Sequence, residues 1–173
     1  MDKKNELLSP VGSPEAFYAA ISNGCNAVYL GLDKFSARAY ARNFSLDNLK
    51  DYIDYAHLRD VKVFVTMNTI LYDEELKEVY NTIDQLAKMN VDAIIVQDLG
   101  LANLLINSFP NIAIHASTQL TAHNLDGVLA LQDMGFKRVV LSRELTLEEI
   151  EYIAKNSNVE IETFIHGALC ISY

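Results

Sequence analysis

The chain has 173 residues, 50% of them apolar and 21% charged, with a formal net charge of -9. This is the composition of a globular domain with a sizeable core, and the acidic balance excludes a protein that coats nucleic acid with a broad basic surface, though not one with a local basic cleft. Only two cysteines are present and the opening MDKKNELLSP lacks the apolar segment of a signal peptide, so a disulfide scaffold and a membrane span are excluded and a reducing, cytoplasmic setting is expected.

In chain order, short β-branched runs alternate with longer amphipathic ones. A first strand is expected at Leu7–Leu8. Ser13-Pro14 then reads as a helix cap followed by proline in the first turn, and Gly24 ends that helix. A second strand, Ala27–Leu30, precedes a helix capped by Ser45 with Leu46, Leu49, Ile53 and Ala56 on one face. The third strand, Val61–Thr66, is followed by a helix opening at Asp73, and the fourth, Ala93–Val96, by a helix over Asp98–Phe109 that ends at Pro110. The fifth strand, Ile112–His115, leads to a helix over Asn124–Met134 ended by Gly135. The sixth, Arg138–Leu141, leads to a helix whose Thr146 and Glu149 form a capping box, and a seventh strand is expected at Ile161–Ile165.

Strict alternation of this kind builds either a doubly wound sheet or a (β/α)8 barrel. No G-x-G-x-x-G follows the first strand, and polar residues follow nearly every strand rather than one switch point, which favours the barrel. The expected fold is α/β, a TIM-barrel-like (β/α)8 arrangement that is incomplete, with seven strands and six helices. A full barrel takes roughly 250 residues. Residues 1–173 therefore read as the N-terminal part of one barrel domain, cut before the last units.

The strand ends define the candidate site, because in a barrel they converge on one mouth. Arg38 and Arg143 suit two-point recognition of a carboxylate or phosphate, or pairing with nearby acids. Asn68, Thr69, Thr118 and Gln119 are polar hooks for a substrate, or ties for loop backbone; Gln97 and Ser117 also follow strand ends. His115 is a candidate base or a satisfied core histidine. Ser117 lacks a G-x-S-x-G elbow. The chain closes on FIHGALCISY, where His166 and Cys170 follow the seventh strand. Cys170 fits a nucleophile, a metal ligand or a structural thiol, and one cysteine cannot by itself hold an iron–sulfur cluster.

The segments ELLSPVGSPEAFYAAISNGCNAVYLG, VTMNTILYDEEL, VDAIIVQDLG, IHASTQLTAHN, RVVLSRELTLEEI and FIHGALCISY, in this order, resemble the collagenase-like peptidase family, number thirty-two among peptidases of unassigned catalytic type. The resemblance implies a barrel-type N-terminal domain and an enzyme. Some members are described as collagenases, whereas others take part in oxygen-independent, prephenate-linked hydroxylation of tRNA or rRNA bases and carry a [4Fe-4S] cluster on four cysteines. The first of those corresponds to Cys170. The expected parent activity is therefore iron–sulfur-dependent RNA-base hydroxylation, with a peptidase and a non-catalytic anion-binding barrel as alternatives. The expected site residues are His115 and His166 as catalytic groups, Arg38, Asn68, Gln97, Ser117, Gln119 and Arg143 for substrate, and Cys170 for metal. The expected partners are a prephenate-like anion and RNA, or a peptide under the alternative. No cluster is expected to be bound in this stretch alone, and its open sheet edges suit self-association.

Overall fold

The structure, a computed structural model, describes residues 5–37 and 44–167. Seven strands form one sheet in sequential order, each pair parallel: β1 (Leu8–Pro10), β2 (Ala27–Gly31), β3 (Lys62–Met67), β4 (Ala93–Val96), β5 (Ala113–Ala116), β6 (Arg138–Val140) and β7 (Glu160–Glu162). Between them run six helices: α1 (Pro14–Ser22), α2 (Leu46–His57), α3 (Leu76–Lys88), α4 (Leu99–Ser108), α5 (Leu125–Met134) and α6 (Leu147–Asn156). The incomplete TIM-barrel-like fold expected from the alternation is the one found.

Local signals account for the element starts. Ser13, Asp98, Asn124 and Thr146 each accept a backbone N–H from the first helical turn, and Thr146 with Glu149 makes a reciprocal box. Gly135 ends α5 at φ 106°, a conformation that side chains with a Cβ resist. β7 is shorter than the apolar run suggested: Thr163, Phe164 and Ile165 follow it as exposed, non-strand residues.

The sheet curls. β1 and β6 are five strand spacings apart, about 24 Å if the sheet were flat. Yet Arg138 Nη1 at the start of β6 lies 2.8 Å from Glu6, just ahead of β1. Only a closing sheet brings these together. The outer face packs against the helices through a continuous aliphatic layer that includes Val28, Leu30, Val63, Val65, Ile94, Val96, Ile114 and Val139. The inner face carries a smaller apolar cluster of Ala27, Phe64, Ala93 and Ile95. No helix among the described residues is long and apolar enough to cross a membrane.

Candidate active site at the barrel mouth

The strand C-termini surround a cavity of about 180 Å3. Its body is apolar, from Tyr29 of β2, Ile95 of β4 and Val140 of β6, and its rim is polar, from Asn68, Ser117, Thr118, Gln119 and Arg143. Glu162 of β7 and Phe164 also line it. Apolar walls with a few directed polar groups are the usual make-up of a small-molecule site.

Each rim group is held. Asn68 donates from Nδ2 to Gln119 Oε1 at 2.8 Å and accepts the backbone N–H of Ala37 at 3.2 Å, so one amide ties β3 to the loops after β2 and β5. Thr66 donates to the carbonyl of Leu30 at 3.1 Å and shares a 2.8 Å hydroxyl bond with Ser36. Ser117 is buried, and its hydroxyl accepts the N–H of Gln119 at 3.3 Å. The Arg143 guanidinium sits 4.1 Å over the ring of Phe164, which keeps its flat fork at the rim. A Cβ added to Gly167 (φ 146°) would lie 3.8 Å from Arg143 Nη2, so the His166-Gly167 turn passes close to that guanidinium.

Beneath the cavity lies an ionic interior. Arg138, with a side chain 9% exposed, binds Glu160 through Nη2 at 2.6 Å and Nε at 3.0 Å, and Glu162 through Nη1 at 3.3 Å. Glu6 also takes Lys62 at 2.7 Å. Burial works to raise the Glu6 pKa, but the hydrogen bonds and charges of Lys62 and Arg138 outweigh it and hold the group below its ordinary value. His115 is 4% exposed, edge-on to Phe64 with ring centroids 4.8 Å apart, and its Nδ1 has no hydrogen-bond partner among the described residues. Burial, helped by the charge of Arg138, pushes its pKa down to about 3, so its ring is neutral.

The structure thus brings Asn68, Ser117, Gln119 and Arg143 together on one cavity. His115 lies on the inner face below it, Gln97 is half-buried after β4 away from the lining, and His166 is exposed beside the rim. Arg38 and Cys170 lie outside the described residues. The sequence reading missed Tyr29, Thr66, Ile95, Val140, Glu162 and Phe164, although the strict alternation of β2, β4 and β6 marks every second residue as inward.

Nor does the described region supply a metal centre: no group of three or more His, Cys, Asp and Glu side chains is placed to hold an ion among the described residues. Cys25 packs in the outer aliphatic layer, its thiol pKa raised by burial. It therefore offers no ligand at the mouth.

A family model described as peptidase family U32 matches residues 12–173. The chain belongs to peptidase family U32. Among curated relatives, it is 44% identical over 168 residues to a 23S rRNA 5-hydroxycytidine C2501 synthase of Escherichia coli (strain K12), covering 97% of this chain and 25% of that protein. It is 40% identical over 171 residues to tRNA hydroxylation protein P of the same organism, covering 98% and 38% respectively. A collagenase of Porphyromonas gingivalis (strain ATCC BAA-308 / W83) is 34% identical over 179 residues, covering 96% and 42%. The chain therefore spans well under half the length of these relatives. The solved structure of the U32 peptidase Mk0906 superposes with a TM-score of 0.74 at 16% identity, covering 94% of this chain and 70% of that one, which establishes the shared fold.

Proposed function

We propose that this region is the front part of an enzyme that hydroxylates bases of tRNA or rRNA, and that its mouth cavity holds the small organic anion used in that chemistry, a prephenate-like molecule. The observation that carries the reading is the cavity: apolar walls, a locked amide pair at the rim, and a guanidinium fixed over Phe164. Arg143 binds a carboxylate through two parallel hydrogen bonds, Asn68 and Gln119 frame the rim, and Tyr29, Ile95 and Val140 exclude water from the ligand's apolar body. The relatives named for rRNA and tRNA hydroxylation support the reaction class. In the whole protein a [4Fe-4S] cluster, with Cys170 as one ligand, would supply electron transfer. The described residues offer that cluster no further thiolate, and the binding roles of Arg143, Asn68 and Gln119 do not depend on it. The protein works in the cytoplasm with RNA as its macromolecular partner.

The name of the Porphyromonas relative supports peptidase action as a second reading. Against it, the Ser117 hydroxyl is buried as the acceptor of a turn, and neutral His115 packs on Phe64. Neither is arranged as a nucleophile with its base. Mass spectrometry of tRNA and rRNA nucleosides from a deletion strain tests the proposal. Loss of a hydroxylated nucleoside, restored by the intact gene and poorly by Arg143→Lys, is expected. An unchanged nucleoside profile together with gelatin cleavage by the purified protein would replace it with the peptidase.

A further inference from the structure

Glu162 is a charged residue of the cavity wall that no motif singles out. Its side chain is 18% exposed, it lines the cavity beside Phe164, and it touches Arg138 beneath at 3.3 Å. Arg138 is already committed elsewhere: to Glu160 at 2.6 Å and to Glu6 at 2.8 Å. Three carboxyls thus share one guanidinium, and Glu162 has the longest contact of the three. Glu160 is relieved by solvent, being about half exposed, and Glu6 by Lys62. Glu162 has neither form of relief, yet it borders a space that a ligand can fill.

We propose that Glu162 is a ligand-binding residue of the mouth cavity, its carboxyl donating a hydrogen bond to an oxygen of the small anion whose carboxylate Arg143 holds. The cavity then selects an anion that also carries a hydroxyl or carbonyl oxygen, with its apolar body against Ile95 and Val140. This inference rests on the small-anion reading above. The protonation state fits: burial, reinforced by the Glu6 and Glu160 carboxylates, raises the Glu162 pKa against the pull of Arg138. The other titratable groups around it are Tyr29 from β2, Lys62 from β3, His115 from β5 and Arg143 at the rim. A neutral Glu162 attracts the anion's oxygen, whereas an ionised one repels it, so affinity falls as pH rises through the Glu162 titration.

Calorimetric titration of the whole protein with prephenate, across the pH range in which it stays folded, tests this. The wild type is expected to bind more weakly at the alkaline end. Glu162→Gln, which keeps a donor but cannot ionise, should flatten that slope. Glu162→Ala should cost about tenfold at the acidic end, the value of one hydrogen bond. Glu148→Gln, an exposed acid of α6 that is off the cavity and outside the Arg138 network, should leave both affinity and slope unchanged. If the Gln variant keeps the wild-type slope, or the Ala variant binds as the wild type does, Glu162 is not a ligand-binding residue. If the folded wild type binds no prephenate at any pH, the small-anion reading itself fails and this inference fails with it.

Discussion

Along β3, Val63, Val65 and Met67 enter the aliphatic layer beneath the helices, whereas Lys62, Phe64 and Thr66 turn into the barrel. The same division runs around the sheet: Ile94, Ile114, Val139 and Ile161 face out, and Ile95, His115, Arg138 and Glu162 face in. The outer layer stabilises through burial alone, so its side chains are interchangeable within limits of volume. The inner layer carries charges at a desolvation cost, which only correct pairing offsets. Stability and chemistry are thus assigned to opposite faces of the same strands, and each face should fail in its own way.

The largest difference should come from Arg138→Met. It removes the cation that Glu6 and Glu160 share, and the donor to Glu162, and should cost about 3–5 kcal/mol in urea unfolding. Adding Glu6→Gln and Glu160→Gln to the same chain should recover most of that loss, because the concerted change removes the carboxylates that the arginine pairs. A single Met variant as stable as the wild type would show that the inner network contributes nothing net. Next in size, Ile94→Ala and Ile95→Ala compare sequence neighbours on opposite faces. The outward truncation should cost about 3–4 kcal/mol and the inward one about 2, since Ile95 borders a space that water can enter. Equal losses would erase the distinction between the layers.

His115 sharpens the comparison through pH. Its folded pKa of about 3 lies below the ordinary 6.5, so between those values the unfolded chain binds the extra proton and stability rises with pH. Acidification from neutrality should therefore weaken the fold from about pH 6.5 downward, by up to about 3 kcal/mol at pH 4, and His115→Gln should show a shallower acid limb. Parallel acid limbs in the two proteins would mean that other groups set the acid sensitivity. The smallest effect belongs to the rim: Phe164→Leu removes the ring beneath Arg143 and should weaken anion binding by about 0.5–1 kcal/mol, leaving urea unfolding nearly unchanged.

Most of the outer face could be read from the chain. Val28, Val63, Ile94 and Val139 sit in short β-branched runs bounded by helix caps, and burial of such runs is a local matter. The inner face was harder to read. Lys62, Arg138, Glu160 and Glu162 alternate with aliphatics, a pattern that ordinarily marks a solvent-facing side. Their interior placement depends on partners several strands away, and no window along the chain contains both ends of the Glu6–Arg138 contact. Phe164 misled for a related reason. It extends an apolar run, which predicts a longer β7, but its ring serves the Arg143 guanidinium and the strand stops at Glu162. Asn68, Ser117, Gln119 and Arg143 were found because strand ends converge in any barrel, whereas Glu162 sits inside its strand and gave no such cue.

The contact between Glu6 and Arg138 also orders events in time. It joins groups roughly 130 residues apart, and a loop of that length costs little more to close than one half as long. It cannot form, however, until β6 has been made and has found its place beside β5. As the chain leaves the ribosome, Glu6 meets Lys62 of β3 long before Arg138 exists, and that 2.7 Å pair gives the carboxylate an interim counter-ion. The early strands can then assemble as a gently twisted ribbon with Glu6 already neutralised. The bond from the arginine of β6 to the same carboxyl group, which spans the curled sheet, can be added only after those strands exist.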